Sequence, residues 1–143
     1  MPADQLTERI RALSVGRTKP LVVGLDGRSG AGKSTLAPLV AAEVGGVVVD
    51  GDDFYAGGSG DLWDAMTAEQ KVVLEGVYSA RPELADLVDL KALLLVPDDI
   101  RRAQLLAREG EAYRRDWEAR WAEAELWYFA SVMPPEAFDV VLG

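Results

Sequence analysis

Leu21 to Leu36 reads Leu-Val-Val-Gly-Leu-Asp-Gly-Arg-Ser-Gly-Ala-Gly-Lys-Ser-Thr-Leu, an apolar run that leads into a glycine-rich loop and then into a helix-forming run. Its centre, from Gly27 to Ser34, matches the pattern G-x-x-x-x-G-K-[ST] of phosphate-binding loops. Glycines allow the backbone to turn tightly and to bring its N–H groups close to phosphate oxygens. A helix that starts near Gly32 points the positive end of its dipole at the same anion. The stretch therefore predicts a site for the phosphates of a nucleoside triphosphate.

Side chains at the end of this loop extend the predicted site. Lys33 can reach the β- and γ-phosphates, and the Ser34 hydroxyl can ligate Mg²⁺. We therefore predict ATP and Mg²⁺ as cofactors, with Lys33 also acting in catalysis. The predicted nucleotide-binding residues form one continuous run: Gly27, Arg28, Ser29, Gly30, Ala31, Gly32, Lys33, Ser34 and Thr35.

The composition of the 143-residue chain indicates one soluble domain with a sizeable core. A formal net charge of −9 argues against a nucleic-acid partner, which would need a basic face. The sequence contains no cysteine and no histidine, which excludes disulfides, thiol chemistry, a histidine base and a histidine-ligated metal. Because no apolar run is long enough for a signal core or a membrane span, we expect a cytoplasmic protein without a membrane partner.

The order of elements along the chain predicts an α/β fold. Pro20 to Asp26 is apolar nearly throughout, as expected of a strand that is buried on both faces. A helix is expected from Lys33 to Val44, and a second strand at Val47 to Val49. Strand, loop, helix and strand make a βαβ unit, so the sheet should be parallel. We predict a single domain with the three-layer P-loop fold, its parallel sheet of about five strands flanked by helices.

Further elements complete this prediction. Strands are expected at residues 72–74, 91–96 and 138–142, and helices at residues 79–87, 98–109 and 111–132. In the last helix Trp117, Trp121, Ala124 and Tyr128 share a helical stripe, which favours core packing over a platform for stacking bases.

The join at Lys71 is abrupt. Thr67 to Gln70 reads as a capping box that opens a helix, yet an apolar strand begins at Val72 with no turn residue between them. A helix that starts at Thr67 has no room to run. We therefore expect a segment near Lys71 to be missing, either deleted from the protein or left out of this sequence.

Acidic residues follow two of the predicted strands. Asp52 and Asp53 come after the second strand, and Glu75 follows the apolar run Val72 to Leu74. The carboxyl ends of parallel strands meet at one edge, so these groups should face the phosphate loop. Asp52 or Asp53 can orient or deprotonate a hydroxyl acceptor, and Glu75 can hold Mg²⁺ through water or hydrogen-bond the acceptor. The alternatives are a turn-capping aspartate and an ordinary carboxylate at a strand end.

Arginines surround Gly110 at a helix–helix junction. Arg108, Arg114 and Arg115 could close over a transferring phosphate. The alternative is a solvated helix face with pairs such as Arg114 and Glu118.

Taken together, these residues resemble the uridine kinase-like branch of P-loop small-molecule kinases, which includes phosphoribulokinase and bacterial pantothenate kinase. The resemblance implies that Asp52 is the catalytic aspartate, that Tyr55 contacts the acceptor, and that Glu75 lies near the metal and the acceptor. Asp53 falls where uridine kinases often have serine, and Arg108, Arg114 and Arg115 fall in the lid. The matching stretches are Asp26 to Thr35, Asp52 to Tyr55, Leu74 to Val77, Arg101 to Arg115 and Phe138 to Leu142.

The chain departs from that family in its acceptor segment. Only residues 56–74 lie between the Asp52 and Glu75 motifs, where the family has a longer segment that in uridine kinases carries a histidine. This agrees with the abrupt join at Lys71.

We therefore expect an ATP- and Mg²⁺-dependent kinase that phosphorylates a hydroxyl of a small molecule, with a nucleoside as one candidate acceptor. The alternative is an ATP-binding regulatory protein without kinase activity. A GTPase switch is disfavoured, because the chain has no asparagine for the guanine-reading Asn-Lys-x-Asp motif and no Asp-x-x-Gly.

Overall fold

Five parallel strands form one sheet in the computed structural model, which describes residues 2–51, 71–109 and 118–143. In chain order the strands are β1 (Leu21–Asp26), β2 (Val47–Asp50), β3 (Lys71–Glu75), β4 (Leu90–Leu94) and β5 (Val140–Leu142). Across the sheet their order is β2-β3-β1-β4-β5, and each neighbouring pair is parallel. The predicted parallel sheet is therefore confirmed.

Helices flank this sheet. They are α1 (Pro2–Ser14), α2 (Lys33–Val44), α3 (Asp98–Glu109) and α4 (Glu118–Trp127), and the chain continues from α4 as a π-helix over Tyr128–Val132. Two short 3₁₀ helices cover Pro82–Leu84 and Pro135–Ala137. Within the described ranges no helix is both long enough and apolar enough to cross a membrane.

The strand β1 is buried along its whole length. Leu21, Val23 and Leu25 pack in one cluster with residues of α1 and α2, whereas Val22 packs in a second cluster with Val72 and other residues. Successive side chains of a strand point to opposite faces, so both faces of β1 are covered by apolar groups. This explains why the strand is apolar nearly throughout, and it fixes the start of the phosphate loop rigidly in the core.

Residues 79–87 do not form the predicted helix. They form turns and the 3₁₀ helix Pro82–Leu84. The N–H groups of Tyr78 and Ala80 donate instead to the carboxylate of Asp26, and Tyr78 has a left-handed φ of 72°. Arg81 is extended, with φ −58° and ψ 151°, as a residue before proline prefers, so a regular helix cannot run from Ser79 through Pro82.

The sheet places β3 between β1 and β2, although β3 follows β2 in the chain. Glu75 is therefore in register with Leu25 on one side and with Asp50 on the other. Ligands of open parallel sheets bind beyond the carboxyl ends of the strands. This edge of the sheet, where the phosphate loop also begins, is therefore the place to look for a functional site.

Candidate functional site

The phosphate loop leads directly into the N-terminus of α2. Gly32 is the N-cap residue with a left-handed φ of 99°, and no side chain caps this end of the helix. The first N–H groups of a helix have no partner within the helix, and with the helix dipole they favour an anion. The local structure thus has the glycine loop and the uncapped helix N-terminus that the predicted anion site requires.

Lys33 lies across the inside of the loop. Its Nζ atom donates hydrogen bonds of 2.8 Å to the carbonyl of Gly27 and 2.9 Å to that of Arg28. Burial lowers the pKa of Lys33 because it disfavours the ammonium, while nearby carboxylates, Asp26 first among them, oppose this effect. A phosphate at this place would give the buried ammonium a full negative partner.

Ser34 and Glu75 meet at the other side of the loop. The Ser34 Oγ atom lies 3.4 Å from Oε1 of Glu75, and Glu75 is buried whereas Ser34 is exposed. A hydroxyl and a carboxylate are the hard oxygen ligands that Mg²⁺ prefers, usually together with water and substrate phosphates. The described residues contain no group of three or more acidic side chains that could hold a metal without such help. These two residues therefore fit a Mg²⁺ ion that arrives with a nucleotide.

Asp26 is a buried carboxylate beneath the loop that sequence reasoning did not assign to the site. Its oxygens accept from the N–H groups of Gly27, Tyr78 and Ala80 and from the hydroxyl of Tyr128. Burial raises the pKa of Asp26, and the four hydrogen bonds oppose that rise. Asp26 thereby ties the start of the loop to the segment after β3 and to the π-helix. A charged residue that ends an otherwise apolar strand was the available signal.

Glu125 on α4 is a second buried carboxylate that sequence reasoning missed. It accepts from the N–H and the hydroxyl of Ser29 at 2.9 and 2.8 Å, and its Oε1 lies 3.4 Å from Nε of Arg28. On the opposite side Arg101, also buried, donates to the carbonyl of Ser29 at 3.1 Å. Nothing in the sequence distinguishes Glu125 from the exposed Glu123 on the same helix, so only tertiary contacts identify it.

An open cleft of about 1360 Å³ lies above the loop and the strand ends. Its wall contains the loop from Ser29 to Thr35, residues 75–78 at the end of β3, residues 94–97 at the end of β4, and the side chains of Arg108 and Glu125. Typical ligand pockets have volumes of roughly 300–1,000 Å³. The cleft is therefore large enough for a nucleotide and a second small molecule.

The structure thus brings together the part of the predicted site that would bind the phosphoryl donor, ATP. The phosphate loop, Glu75 and Arg108 surround one cleft, and Gly27 and Arg28 form the start of the loop. The segment before Lys71 lies outside the described part of the chain. So do the other predicted site residues, which are Asp52, Asp53, Tyr55, Arg114 and Arg115. Their roles stay predictions.

No family model and no curated protein sequence matches the chain, but solved structures do. A structure described as a possible uridine kinase from Bacillus stearothermophilus has a TM-score of 0.69 at 19% identity, over 99% of this chain and 97% of that one. A structure described as a "putative fructose transport system kinase" from Silicibacter sp. TM1040 has a TM-score of 0.67 at 19% identity, over 100% of both chains. Shikimate kinase from Acinetobacter baumannii, in complex with shikimate, has a TM-score of 0.60 at 16% identity, over 88% and 84%. The chain therefore has the three-layer fold of the uridine kinase-like P-loop kinases.

Proposed function

We propose that this protein is an ATP-dependent kinase that transfers the γ-phosphoryl group to a hydroxyl of a small molecule, with Mg²⁺ as cofactor. The observation that carries the proposal is the meeting of the phosphate loop with Glu75, whose carboxylate lies 3.4 Å from the Ser34 hydroxyl. This contact between the loop and Glu75 supports a site in which a phosphate and a metal ion are bound next to each other. The names of the similar structures, a "possible uridine kinase", a "putative fructose transport system kinase" and a shikimate kinase, support the same class of reaction.

In this proposal the loop amides and Lys33 hold the β- and γ-phosphates, while Ser34 and Glu75 hold Mg²⁺. The ion would neutralise charge on the phosphate oxygens. Arg108 lines the same cleft and would add positive charge on the side of α3. Phosphoryl transfer depends mainly on positioning and charge stabilisation, which are the functions that these groups can serve.

The acceptor half of the proposal rests on the resemblance in sequence. The acceptor oxygen would form a bond to the γ-phosphorus as the bond to ADP breaks, and Asp52 would orient the hydroxyl and take its proton. Asp53 and Tyr55 would contact the acceptor, and Arg114 and Arg115 would join Arg108 around the transferring group. A nucleoside is the first candidate acceptor, because the motifs resemble those of uridine kinases.

A lysine variant tests the donor site. We expect Lys33→Ala to reduce ATP turnover by about a hundredfold or more, the size seen when a positioned charge-stabilising group is removed. Far-UV circular dichroism should show that the fold survives. Lys19→Ala removes an exposed lysine and should leave turnover unchanged. Equal turnover in the Lys33→Ala variant and the wild type would refute the proposed site.

A substrate screen tests the reaction itself. ADP formation should be measured with nucleosides, pantothenate-like alcohols, sugars and shikimate, each with and without Mg²⁺. A phosphorylated product, identified by mass spectrometry, would establish both the kinase activity and the acceptor. Tight binding of ATP without product across the whole panel would instead favour a regulatory nucleotide-binding protein.

A further inference from the structure

All three polar groups of Ser29 are held by side chains from outside the phosphate loop. Its N–H donates to Oε1 of Glu125 at 2.9 Å, and its hydroxyl donates to Oε2 of Glu125 at 2.8 Å. Its carbonyl accepts from Arg101 at 3.1 Å. The residue is therefore fixed from α4 on one side and from α3 on the other.

Glu125 is buried, with a relative exposure of only 3%. Its carboxylate is compensated in place by Arg28, which also lies near Asp98 of α3. Hydrogen bonds to a buried charged group are worth more than those between neutral groups, because water cannot replace them readily. The Glu125–Ser29 contact is therefore strong enough to restrain the loop.

The loop needs such a restraint because its glycines are conformationally free. Gly30 and Gly32 have left-handed φ angles of 81° and 99°, which glycine adopts as readily as other conformations. The backbone N–H groups after Ser29 bind phosphate together only if they converge on one point. Fixing the conformation before the ligand arrives lowers the entropy lost on binding.

We propose that Glu125 is a positioning residue for the triphosphate: it fixes the Ser29 peptide, from a different helix, so that the following loop amides converge on the phosphates. This inference rests on the proposed nucleotide binding and extends it to a residue of α4. Glu125 does not touch the reacting atoms in this role. The opposing possibility is that its carboxylate, which also lines the cleft, repels the phosphates.

Affinity measurements separate these two roles. Dissociation constants of MgATP and of inorganic tripolyphosphate should be measured by titration calorimetry, well below the melting temperature of each variant. We expect Glu125→Ala to weaken the binding of both ligands by about tenfold, which corresponds to about 1.4 kcal/mol, since the charge-assisted hydrogen bonds that restrain the loop are lost. Glu125→Gln keeps an oxygen that can accept from the Ser29 N–H, so it should recover most of the affinity. The matched control Glu123→Ala, an exposed acid on the same helix, should bind both ligands as the wild type does.

Two further readouts report the contact itself. Amide hydrogen exchange at Ser29, measured without ligand, should be faster in Glu125→Ala and close to that of the wild type in Glu125→Gln. Ser29→Ala removes only the hydroxyl, so its effect on MgATP affinity should be smaller than that of Glu125→Ala. The loss of MgATP affinity in the double variant, Ser29→Ala with Glu125→Ala, should be smaller than the sum of the losses in the two single variants. Both single changes remove the same hydrogen bond between the Ser29 hydroxyl and Glu125.

The inference and the kinase proposal can fail separately. Wild-type protein that binds MgATP but forms no product would contradict the kinase activity and leave these affinity differences measurable. Tighter binding in both Glu125→Ala and Glu125→Gln would overturn the inference, because the carboxylate would then compete with phosphate. Unchanged affinity in Glu125→Ala, with or without a lower melting temperature, would overturn it too, since the residue would then be purely structural.

Discussion

The hydroxyl of Tyr128 donates a 2.7 Å hydrogen bond to Oδ2 of Asp26, although 102 residues separate the two in the chain. Asp26 lies at the end of β1 immediately before the phosphate loop, and Tyr128 begins the π-helix after α4. The ring of Tyr128 also packs edge-on against Tyr78, with centroids 4.7 Å apart. A single buried carboxylate thus connects the phosphate loop to the segment after β3 and to the π-helix, both far away in the sequence.

Tyr128→Phe should destabilise the protein by about 1–3 kcal/mol, because it removes one donor from a buried carboxylate while keeping the ring. Urea denaturation followed by circular dichroism measures the change. Trp127→Phe alters the adjacent aromatic residue, which is 63% exposed, and should shift stability by less than about 0.5 kcal/mol. Equal shifts in the two variants would show that the hydroxyl of Tyr128 contributes nothing specific.

Asp26 should make stability depend on pH. Burial raises the pKa of Asp26 in the folded state above the ordinary value of 3.8, which the unfolded chain keeps. Between the unfolded-state pKa and the folded-state pKa, the folded protein therefore binds the proton more readily than the unfolded chain does. The contribution of Asp26 to stability should therefore fall as pH rises through that window and stay low above it.

Asp26→Asn provides the comparison, because it cannot titrate. The difference in unfolding free energy, wild type minus variant, should decrease as pH rises from about 4 toward neutrality. Urea denaturation at a series of pH values measures this difference, and titrating groups that do not interact with Asp26 cancel from it. A difference that increases with pH would show that the four hydrogen bonds outweigh burial and that the pKa is lowered.

Glu75→Gln and Ser34→Ala should each raise the Mg²⁺ concentration needed for half-maximal ATP turnover, by about tenfold if one ligand contact of about 1.4 kcal/mol is lost. Glu75→Gln keeps the size of the side chain and removes its charge. Glu43→Gln, an exposed acid on α2, is the matched control. A Mg²⁺ requirement that is identical in all three variants and the wild type would remove Ser34 and Glu75 from the metal site.

Gly30→Ala should destabilise the protein more than Gly45→Ala does. Both positions have left-handed φ angles, 81° and 69°, so alanine is strained by about 1–2 kcal/mol at either one. A Cβ atom at Gly30 would also lie 2.6 Å from the carbonyl of Arg101 and 2.7 Å from Cγ of Leu105, whereas nothing lies within 4 Å at Gly45. The overpacking should add about 1–3 kcal/mol.

Thermal unfolding of the two glycine variants measures this difference directly. Because the backbone strain is shared, the difference between them isolates the close approach of the loop to α3. Equal melting temperatures would show that α3 can move away from the loop without loss of stability.

The sequence alone determined the local elements and the donor motif. Both faces of β1 are buried, so its apolar run predicted a strand, and the glycines around Lys33 predicted the start of α2 at that residue. Gly45 marked the end of α2, where it adopts a left-handed φ of 69°. These features depend on the chemistry of neighbouring residues, and for this reason a sequence reveals them.

The tertiary structure decided which distant residues meet. The sequence predicted that Glu75 faces the phosphate loop, but only the strand order, with β3 between β1 and β2, shows that its strand lies directly beside β1. Residues 79–87 did not form the predicted helix: Arg81 before Pro82 is extended, and the N–H of Ala80 donates to Asp26, a partner far away in sequence. Glu125 resembles its exposed neighbours on α4 until the fold buries it against Ser29. Local propensity and spacing carry no information about such long-range contacts, which arise only when the sheet and helices pack together.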